Sequence, residues 1–387
     1  MPLAGIIAEF NPLHSGHKYL IDCAKNDGYD VAAVISGNFV QRGDTAIIPK
    51  FKRAEAALAA GVDIVLELPV PWSMSTAQNF ALGGISQLAA IGIDRLYFGS
   101  ECDDIFELNK VADVLSSDEF TVRLKQRLGQ GITFARLRSE LVNEILGYDS
   151  NLLYGPNDTL AVEYILAAQR LGLSLEFKPI KRVGASHNDL EDQNGFSTAT
   201  LLRNAILGGE FDYVSKFTPA SSFEIIKDSP ISDINRLDIA IISKLKLMKP
   251  EEFSLISDMS EGLDNLLYKA IRECYSFPEL LERIKSKRYT LARIRRLLLS
   301  SYLGIDSGFF LREPPYVRVL GFDSKGEKYL SAAVTKPIIT KVSQIDKLDN
   351  FSKLVFDKEN ISNELYALSL NEPNRFINEQ REAIRRF

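Results

Sequence analysis

The sequence predicts an α/β fold, with a Rossmann-like parallel sheet in the N-terminal part and a mainly helical module after it. Short apolar segments alternate with helical segments over residues 1–210, which is typical of βαβ units. After residue 220 the pattern changes to helices that carry one apolar face, as expected for a helical module. The length of 387 residues is enough for more than one domain.

Each element of the sheet follows from its own apolar segment. Strands are predicted at 3–9, 31–35, 62–68, 95–99 and 175–180, and helices at 16–25, 50–60, 78–91 and 160–171. In sheets of this kind, ligand sites lie at the carboxyl ends of the strands. We therefore expect the chemistry just after Glu9, Ile35, Leu68 and Phe98.

The C-terminal part is predicted as a module in its own right. Its apolar periodicity indicates helices at 237–248, 262–274, 277–285 and 291–303, a strand at 316–322, and a tail over 335–387 with one more strand and helices. The predicted division is an α/β domain at 1–215 and a mainly helical module at 216–387.

Composition excludes several classes of protein. The formal net charge of −5 rules out a uniformly basic nucleic-acid binder, although it allows a local basic patch. The three cysteines are widely spaced, which excludes a disulfide scaffold and a structural zinc site and fits the cytoplasm. No basic leader precedes the first strand, and no apolar segment reaches the ~18 residues of a membrane span. We expect neither a signal peptide nor a membrane segment.

Two of the three histidines in the chain follow the first strand. His14 and His17 are three residues apart with Gly16 between them, so both imidazoles can lie on one face of a helix start. A helix N-terminus attracts phosphate, and imidazoles can donate hydrogen bonds to charge that develops there. The pattern predicts His14 and His17 as catalytic residues of nucleotidyl transfer; the alternative is a surface loop with incidental histidines.

A second phosphate element is predicted near residue 200. The segment FSTATLLR at 196–203 brings hydroxyl groups to a helix start and places Arg203 one turn inside the helix. Ser or Thr at a helix start is normally an N-cap, and that alone would explain the segment. The same geometry also presents hydroxyl and N–H groups to a triphosphate.

Three further segments carry candidate residues. The loop SGNFVQRG at 36–43 follows the second strand, and Arg42 could hold a carboxylate with two hydrogen bonds; the alternative is an arginine on a solvated loop. Asn157 stands at a plausible N-cap. Arg182 is a candidate phosphate contact or an ordinary surface ion pair, and His187 is left unassigned.

A basic segment in the helical module predicts an RNA contact. It reads RIKSKRYTLARIRR over 283–296 and contains seven positive and no negative residues: Arg283, Lys285, Lys287, Arg288, Arg293, Arg295 and Arg296. A charge run is usually a solvated face. However, so many like charges repel one another unless an anion balances them, and an RNA backbone would do so.

Several motifs together resemble a known family. The segment NPLHSGH at 11–17 is similar to the HxGH signature of the nucleotidylyltransferase superfamily, which is related to class I aminoacyl-tRNA synthetases. With IAEFNPLH at 7–14, SGNFVQRG at 36–43 and GVDIVLELP at 61–69, it resembles the bacterial tRNA(Met) cytidine acetate ligases. The 198–203 element resembles the second superfamily signature, S-S/A-T-x-x-R, with Thr198 where Ser is usual.

The resemblance implies both a fold type and a reaction. It implies a sheet of the HxGH nucleotidyltransferase type and an ATP-dependent ligase, with Mg²⁺ on the phosphates. Residues 1–215 would then form a nucleotidyltransferase-like catalytic domain that binds ATP and acetate, and residues 216–387 a mainly helical tRNA-binding module. Acetate attacks the α-phosphate to give acetyl-adenylate and pyrophosphate, and the acetyl group then passes to N4 of the wobble cytidine of elongator tRNA(Met), in the cytoplasm.

The resemblance also implies the site residues, with His14, His17 and Arg203 as the catalytic set. The acetate loop comprises Ser36, Gly37, Gln41 and Arg42. The ATP contacts comprise Ile7, Ala8, Glu9, Phe10, Asn11, Pro12, Leu13, His14, Ser15, Gly16, His17, Lys18, Tyr19, Leu20, Gly99, Ser100, Asn157, Arg182, Thr198 and Thr200.

Two other functions remain open from the sequence. One is a small-metabolite adenylyltransferase of the same superfamily that releases a dinucleotide and never contacts RNA. The other is a non-catalytic RNA-binding protein that retains the fold, although both phosphate elements are present in this sequence.

Overall fold

The structure is a computed structural model that describes residues 1–128, 133–182, 197–260, 262–286, 289–331, 335–376, 381 and 383–387. Three of the sequence candidates, His187, Lys287 and Arg288, lie outside the described residues.

A parallel sheet forms the centre of the molecule. The described strands are β1 Leu3–Ala8, β2 Asp30–Ser36, β3 Phe39–Val40, β4 Asp44–Thr45, β5 Ile64–Leu68, β6 Arg95–Ser100, β7 Glu176–Lys181, β8 Val317–Phe322, β9 Ile338–Ile339 and β10 Arg385–Arg386. Strands β5, β2, β1, β6 and β7 lie side by side in that order, all parallel. Each of the five predicted strands is present, and their order is that of a Rossmann-like sheet.

The strand order locates the crevice in which ligands bind such sheets. From β1 the chain moves outward to β2 and β5, and then returns to the other side of β1 at β6. A crevice forms where the direction reverses, outside the carboxyl ends of the two central strands. Here those ends are Ala8 and Ser100.

The sheet continues into the C-terminal part of the chain. Strand β8 pairs antiparallel with β5, and both β9 and β10 pair parallel with β8. The sequence predicts β8 as a strand but does not predict its place, because an apolar segment does not specify its neighbour. The division at residue 215 stays a prediction, and the helical part contributes strands to the same sheet.

Helices cover both faces of the sheet. They are α1 Ser15–Asn26, α2 Lys50–Ala59, α3 Val70–Ser73, α4 Ala77–Ala90, α5 Ile105–Ser116, α6 Asp118–Arg127, α7 Phe134–Leu146, α8 Pro156–Arg170, α9 Ala199–Gly208, α10 Phe211–Phe217, α11 Ala220–Lys227, α12 Asp238–Leu247, α13 Pro250–Ser254, α14 Leu263–Glu273, α15 Phe277–Ile284, α16 Leu291–Leu303 and α17 Asn350–Ala367. On one face Ala4 and Ile6 pack with Ile21 of α1. On the other, Leu3 packs with Ile85 and Leu88 of α4, so side chains alternate between faces as strands require.

The C-terminal helices form where the apolar periodicity places them. The helices α12, α14, α15 and α16 lie within a residue or two of the predicted bounds, and α16 buries Ile294, Leu297 and Leu298. In the described part of the chain, no helix is both long and apolar enough to cross a membrane.

Candidate active site

The turn between β1 and α1 is fixed from beneath. Phe10, Asn11 and Leu13 are buried, and the Asn11 side-chain oxygen accepts a hydrogen bond from the backbone N–H of Ile47 at 2.7 Å. Ser15 begins α1 and donates from its hydroxyl to the carbonyl of Phe217 at 2.8 Å. Of the predicted ATP residues, these hold the shape of the turn.

His14 and His17 close the start of α1 as a reciprocal pair. His14 is the N-cap, and its Nδ1 accepts the N–H of Gly16 at 3.1 Å. His17 Nδ1 accepts the N–H of His14 at 3.3 Å, and the ring centroids are 3.8 Å apart. Because each Nδ1 accepts a backbone proton, the proton of each neutral imidazole must lie on Nε2.

The surroundings keep both histidines neutral. Burial, and then the charges of Arg182 and Arg203, lower the pKa of His14 to about 3. Burial, and then His14 and Arg182, hold the pKa of His17 well below its usual value. At neutral pH the site therefore has two Nε2–H donors, fixed in tautomer and orientation, at a helix N-terminus.

The second phosphate element reaches the first directly. Thr198 is the N-cap of α9, and its hydroxyl accepts the N–H of Leu201 at 3.2 Å. Arg203 donates from Nη1 to the carbonyl of Asn11 at 2.9 Å and from Nη2 to Thr200 Oγ1 at 3.0 Å. Two segments 192 residues apart in the chain are thus in contact, and they bring His14 and Arg203 to the same crevice.

Two more arginines face this crevice. Arg182 follows β7, and its N–H donates to the carbonyl of Ser100 at 3.1 Å while its side chain lies over Gly99. Desolvation lowers the pKa of the Arg42 guanidinium; Glu9 opposes this shift, and Arg203 and Arg182 add to it. The cationic groups of Arg42, Arg182 and Arg203 therefore share one electrostatic environment, as a triphosphate site requires.

The loop after β6 is held by two carboxylates. Asp158 accepts hydrogen bonds from Ser100 Oγ at 2.6 Å and from the N–H groups of Glu101 and Cys102 at 2.9 and 3.1 Å. Glu101 accepts from the N–H of Asp158 at 2.8 Å and from the Asn157 side chain. Burial raises the pKa of Asp158. The two carboxylates therefore fix the Ser100 side chain and the backbone of Glu101 and Cys102, directly after Gly99 and Ser100.

The N-cap prediction for Asn157 is wrong. Helix α8 begins at Pro156, with Gly155 as its N-cap, so Asn157 lies inside the first turn. Proline suits the first helical position because its missing N–H would have no helical partner there. The side chain of Asn157 donates to Glu101 instead.

The remaining predicted ATP residues lie along β1 and α1. Ile7 and Ala8 belong to the strand, Gly16 is in the first turn of the helix, and Leu20 packs against the core beside α1. Lys18 forms an ion pair with Asp22 one turn along α1. Tyr19 is exposed.

The 36–43 loop rests on buried charges that sequence reasoning missed. Arg53 is buried and donates to the carbonyls of Glu9 at 2.7 Å, Ile48 at 3.2 Å and Gly37. Lys50, also buried, forms ion pairs with Glu67 at 2.5 Å and with Glu359 of α17 at 3.2 Å. A signal was present in the sequence: positions 50 and 53 share a helical face with the apolar positions 54 and 57.

Carboxylates within the protein lie beside the basic segment. Arg293 and Arg296 pair with Asp258 at 3.2 and 3.7 Å, and Arg295 pairs with Asp44 at 3.4 Å. Arg296 also donates to the carbonyl of Gln41 at 3.3 Å. Arg283 pairs with Glu273 and Lys285 with Glu282. Each of these described cations therefore has a carboxylate partner within the protein, with Asp258 shared by two of them, and Arg295 and Arg296 contact the 36–44 segment.

Comparisons with known proteins agree with this geometry. A family model for HIGH Nucleotidyl Transferases matches residues 1–381. A tRNA(Met) cytidine acetate ligase of Thermoanaerobacter sp. (strain X514) is 38% identical over 389 residues, covering 95% of this chain and 96% of that protein. The chain belongs to the tRNA(Met) cytidine acetate ligase family. A second member, from Thermotoga petrophila, is 37% identical and covers 91% of the chain and 90% of its own length.

Solved structures of this family have the same fold. The crystal structure of Thermotoga maritima TmcAL without ligand matches with a TM-score of 0.93 and 32% identity, covering 100% of both chains. The structure of the same protein bound with alpha-thio ATP matches with a TM-score of 0.91 and 31% identity, covering 100% of this chain and 99% of that one. The predicted family, the HxGH-type α/β fold and the prediction of a ligase are confirmed.

Proposed function

We propose that the chain activates acetate with ATP as acetyl-adenylate, releasing pyrophosphate, and transfers the acetyl group to N4 of the wobble cytidine of elongator tRNA(Met). The product is N4-acetylcytidine. One observation carries the proposal: His14 and His17 form a capped pair with fixed Nε2–H donors at the start of α1, facing Arg182 and Arg203. The choice of acetate and of tRNA(Met) cytidine as substrates is supported by the relatives, which are named tRNA(Met) cytidine acetate ligases.

In the first step the chain positions charge around the triphosphate. The N-terminus of α1 and the two imidazoles donate to phosphate oxygens, where negative charge grows as pyrophosphate leaves. Arg203 and Arg182 stabilise the departing phosphates. Arg42 holds the acetate carboxylate in line with the α-phosphate, so the reaction becomes a matter of positioning.

Magnesium would accompany the nucleotide. Among the described residues no group of three or more histidine, cysteine, aspartate or glutamate side chains forms a metal cage. Mg²⁺ commonly binds through substrate phosphates and water with one or two carboxylates, so the phosphates themselves would supply most of its ligands. When bound, the ion would neutralise part of the charge of the triphosphate.

In the second step the crevice must admit an RNA base. Arg283 and Lys285 keep 50% and 61% of their side chains exposed, against 18% for Arg296. We propose that the exposed pair contacts the tRNA backbone, and that Arg293, Arg295 and Arg296 contribute mainly through the loops they join. The free thiols of Cys23, Cys102 and Cys274 agree with the proposed cytoplasmic location.

The decisive experiment is incubation of the protein with ATP, isotope-labelled acetate and total tRNA, followed by nucleoside mass spectrometry. The expected result is label in N4-acetylcytidine, only when ATP is present. Acetate-dependent ATP–pyrophosphate exchange without tRNA tests the first step separately. Exchange without any labelled nucleoside would favour an enzyme that passes the acyl group elsewhere, and absence of both would overturn the proposal.

A further inference from the structure

Glu9 joins the turn that carries His14 and His17 to the predicted acetate loop. It directly follows β1, and its main-chain carbonyl accepts a hydrogen bond from buried Arg53 at 2.7 Å. One carboxylate oxygen, Oε1, accepts the N–H of Gln41 at 2.9 Å. Both the backbone and one side-chain oxygen of Glu9 are therefore fixed, and the fixing partner belongs to the predicted acetate loop.

Glu9 interacts electrostatically with residues predicted to bind acetate and phosphate. Its negative charge acts on Arg42, whose guanidinium also interacts with Arg203 and Arg182. Those two arginines in turn act on His14. Burial, and then the charge of Glu9, raise the pKa of Tyr164 in α8. Under the proposed function Arg42 holds the acetate carboxylate and His14 donates to the phosphates, so the bond that joins them forms in the surroundings of this carboxylate.

The second carboxylate oxygen of Glu9 is open. Within the described ranges, Oε2 has no hydrogen-bond or ion-pair partner, and the residue is only partly buried. Two other carboxylates already accept hydrogen bonds: Asp44 from Thr45 and Arg295, and Asp158 from three donors after β6. An oxygen fixed in place but unpartnered beside a cationic crevice is suited to accept a proton from a substrate.

We propose that Glu9 is the group that accepts the N4 proton of cytidine during acetyl transfer, a role that rests on the proposed function. N4 attacks the acetyl carbonyl carbon, and a C–N bond forms. The bond between that carbon and the phosphate oxygen breaks, and AMP leaves with the electron pair. The proton that N4 must lose passes to Glu9 Oε2. Carboxylates are natural acceptors for the cytosine N4 amine, which is weakly nucleophilic because its lone pair is delocalised into the ring.

The histidines do not fit this role. Each Nδ1 already accepts a backbone N–H, and each Nε2 carries the proton, so neither imidazole has a lone pair available. Their lowered pKa values also make them weak bases. The two groups then have separate duties: the imidazoles donate to phosphate in the first step, and the carboxylate accepts from the base in the second.

The test compares the two half-reactions in a Glu9→Gln variant. The amide oxygen still accepts the N–H of Gln41, so the loop keeps its contact while the proton acceptor is lost. General-base catalysis is worth about 10²–10⁴-fold, so we expect single-turnover transfer from preformed enzyme-bound acetyl-adenylate to tRNA to slow by ~100-fold or more. Acetate-dependent exchange should fall by less than ~10-fold, the cost of disturbing one charged contact.

A matched control is Glu101→Gln, which alters the carboxylate that follows the other central strand. Both Glu101 oxygens accept hydrogen bonds that hold the loop, so exchange and transfer should fall together in that variant. An equal fall of both steps in Glu9→Gln would overturn the inference and assign Glu9 to ATP or its metal. Failure of the proposed function is distinguishable, because the unaltered protein would then show no acetate-dependent exchange or no labelled N4-acetylcytidine.

Discussion

The crevice at the ends of β1 and β6 and the basic segment at 283–296 both attract notice for their positive charge, but the structure separates them. Within the described residues, Arg42, Arg182 and Arg203 form no ion pair, whereas Arg283, Lys285, Arg293, Arg295 and Arg296 all do. The crevice gathers cations from three distant segments. In the basic segment, Lys285 pairs with Glu282 three residues before it, and the other four cations pair with carboxylates on other elements. Charge brought together by the fold indicates a ligand better than charge contiguous in the sequence.

The largest expected effect comes from the histidine pair. Replacing His14 or His17 by alanine removes a preorganised donor, which should lower acetate-dependent exchange by ~10²–10³-fold. Exchange is followed with labelled pyrophosphate. Ser117→Ala, which removes the N-cap of α6, controls for the loss of a cap, worth about 1 kcal/mol. Undiminished exchange in the double alanine variant would show that the imidazoles do not take part.

The link between the two phosphate elements should matter nearly as much. Arg203→Lys keeps the charge but loses the fork that contacts both Asn11 and Thr200. We expect exchange to fall by about 10²-fold, the loss of one stabilising donor. Arg170→Lys at the exposed end of α8 is the control. A variant with normal exchange would mean that a point charge is enough at this position.

A smaller effect is expected where the basic segment contacts the 36–43 loop. Arg296→Ala removes the hydrogen bond to the Gln41 carbonyl, so exchange should fall ~10-fold, since bonds to charged groups are worth ~1.5–3 kcal/mol. The loss should appear mainly as a higher KM for acetate. Loss of tRNA acetylation with normal exchange would instead make Arg296 an RNA contact, as the sequence alone predicts.

Substitutions at the exposed end of the basic segment should affect only the step that involves tRNA. Changing Arg283 and Lys285 together to glutamine should raise KM for tRNA a few-fold and reduce its salt dependence by roughly 0.7–0.9 per lost phosphate contact. Exchange without tRNA should not change. Lys110→Gln, which breaks an exposed pair of the same i,i+3 type, is the matched control. A KM for tRNA that is unchanged and equally salt-dependent would exclude this end as the RNA site.

The last test uses pH. The folded pKa of His14 is about 3, below its ordinary value of 6.5, so the unfolded chain binds a proton that the native chain does not between these values. The contribution of neutral His14 to the free energy of unfolding should therefore be fully present above pH 6.5 and decrease as the pH falls below that value. Melting temperatures from pH 7.5 to 5 should show this decline, and His14→Ala should reduce it. An identical pH dependence in the variant would contradict neutral burial.

Sequence reasoning reached the sheet and the first turn because local signals mark them. The apolar strands and the HxGH segment are contiguous, and His14 and His17 need only helical spacing to meet. Arg53 and Lys50 were missed because their burial depends on Glu67 and Glu359, and the second lies 309 residues away from Lys50 in the chain. The sequence did not predict that Arg295 and Arg296 would contact the protein itself, because their acceptors, Asp44 and Gln41, lie more than 250 residues earlier in the chain.

The position of α17 has a consequence for when the enzyme becomes complete. Helix α17 contacts the 36–43 loop through a hydrogen bond from Asn38 to Asn363 at 2.9 Å, across 325 residues, and its Glu359 pairs with buried Lys50 next to that loop. The polypeptide emerges from the ribosome N-terminus first. The nascent chain thus has both predicted phosphate elements long before it has the helix that supports the 36–43 loop. A product truncated before residue 350 would contain every motif of the family and still lack this support.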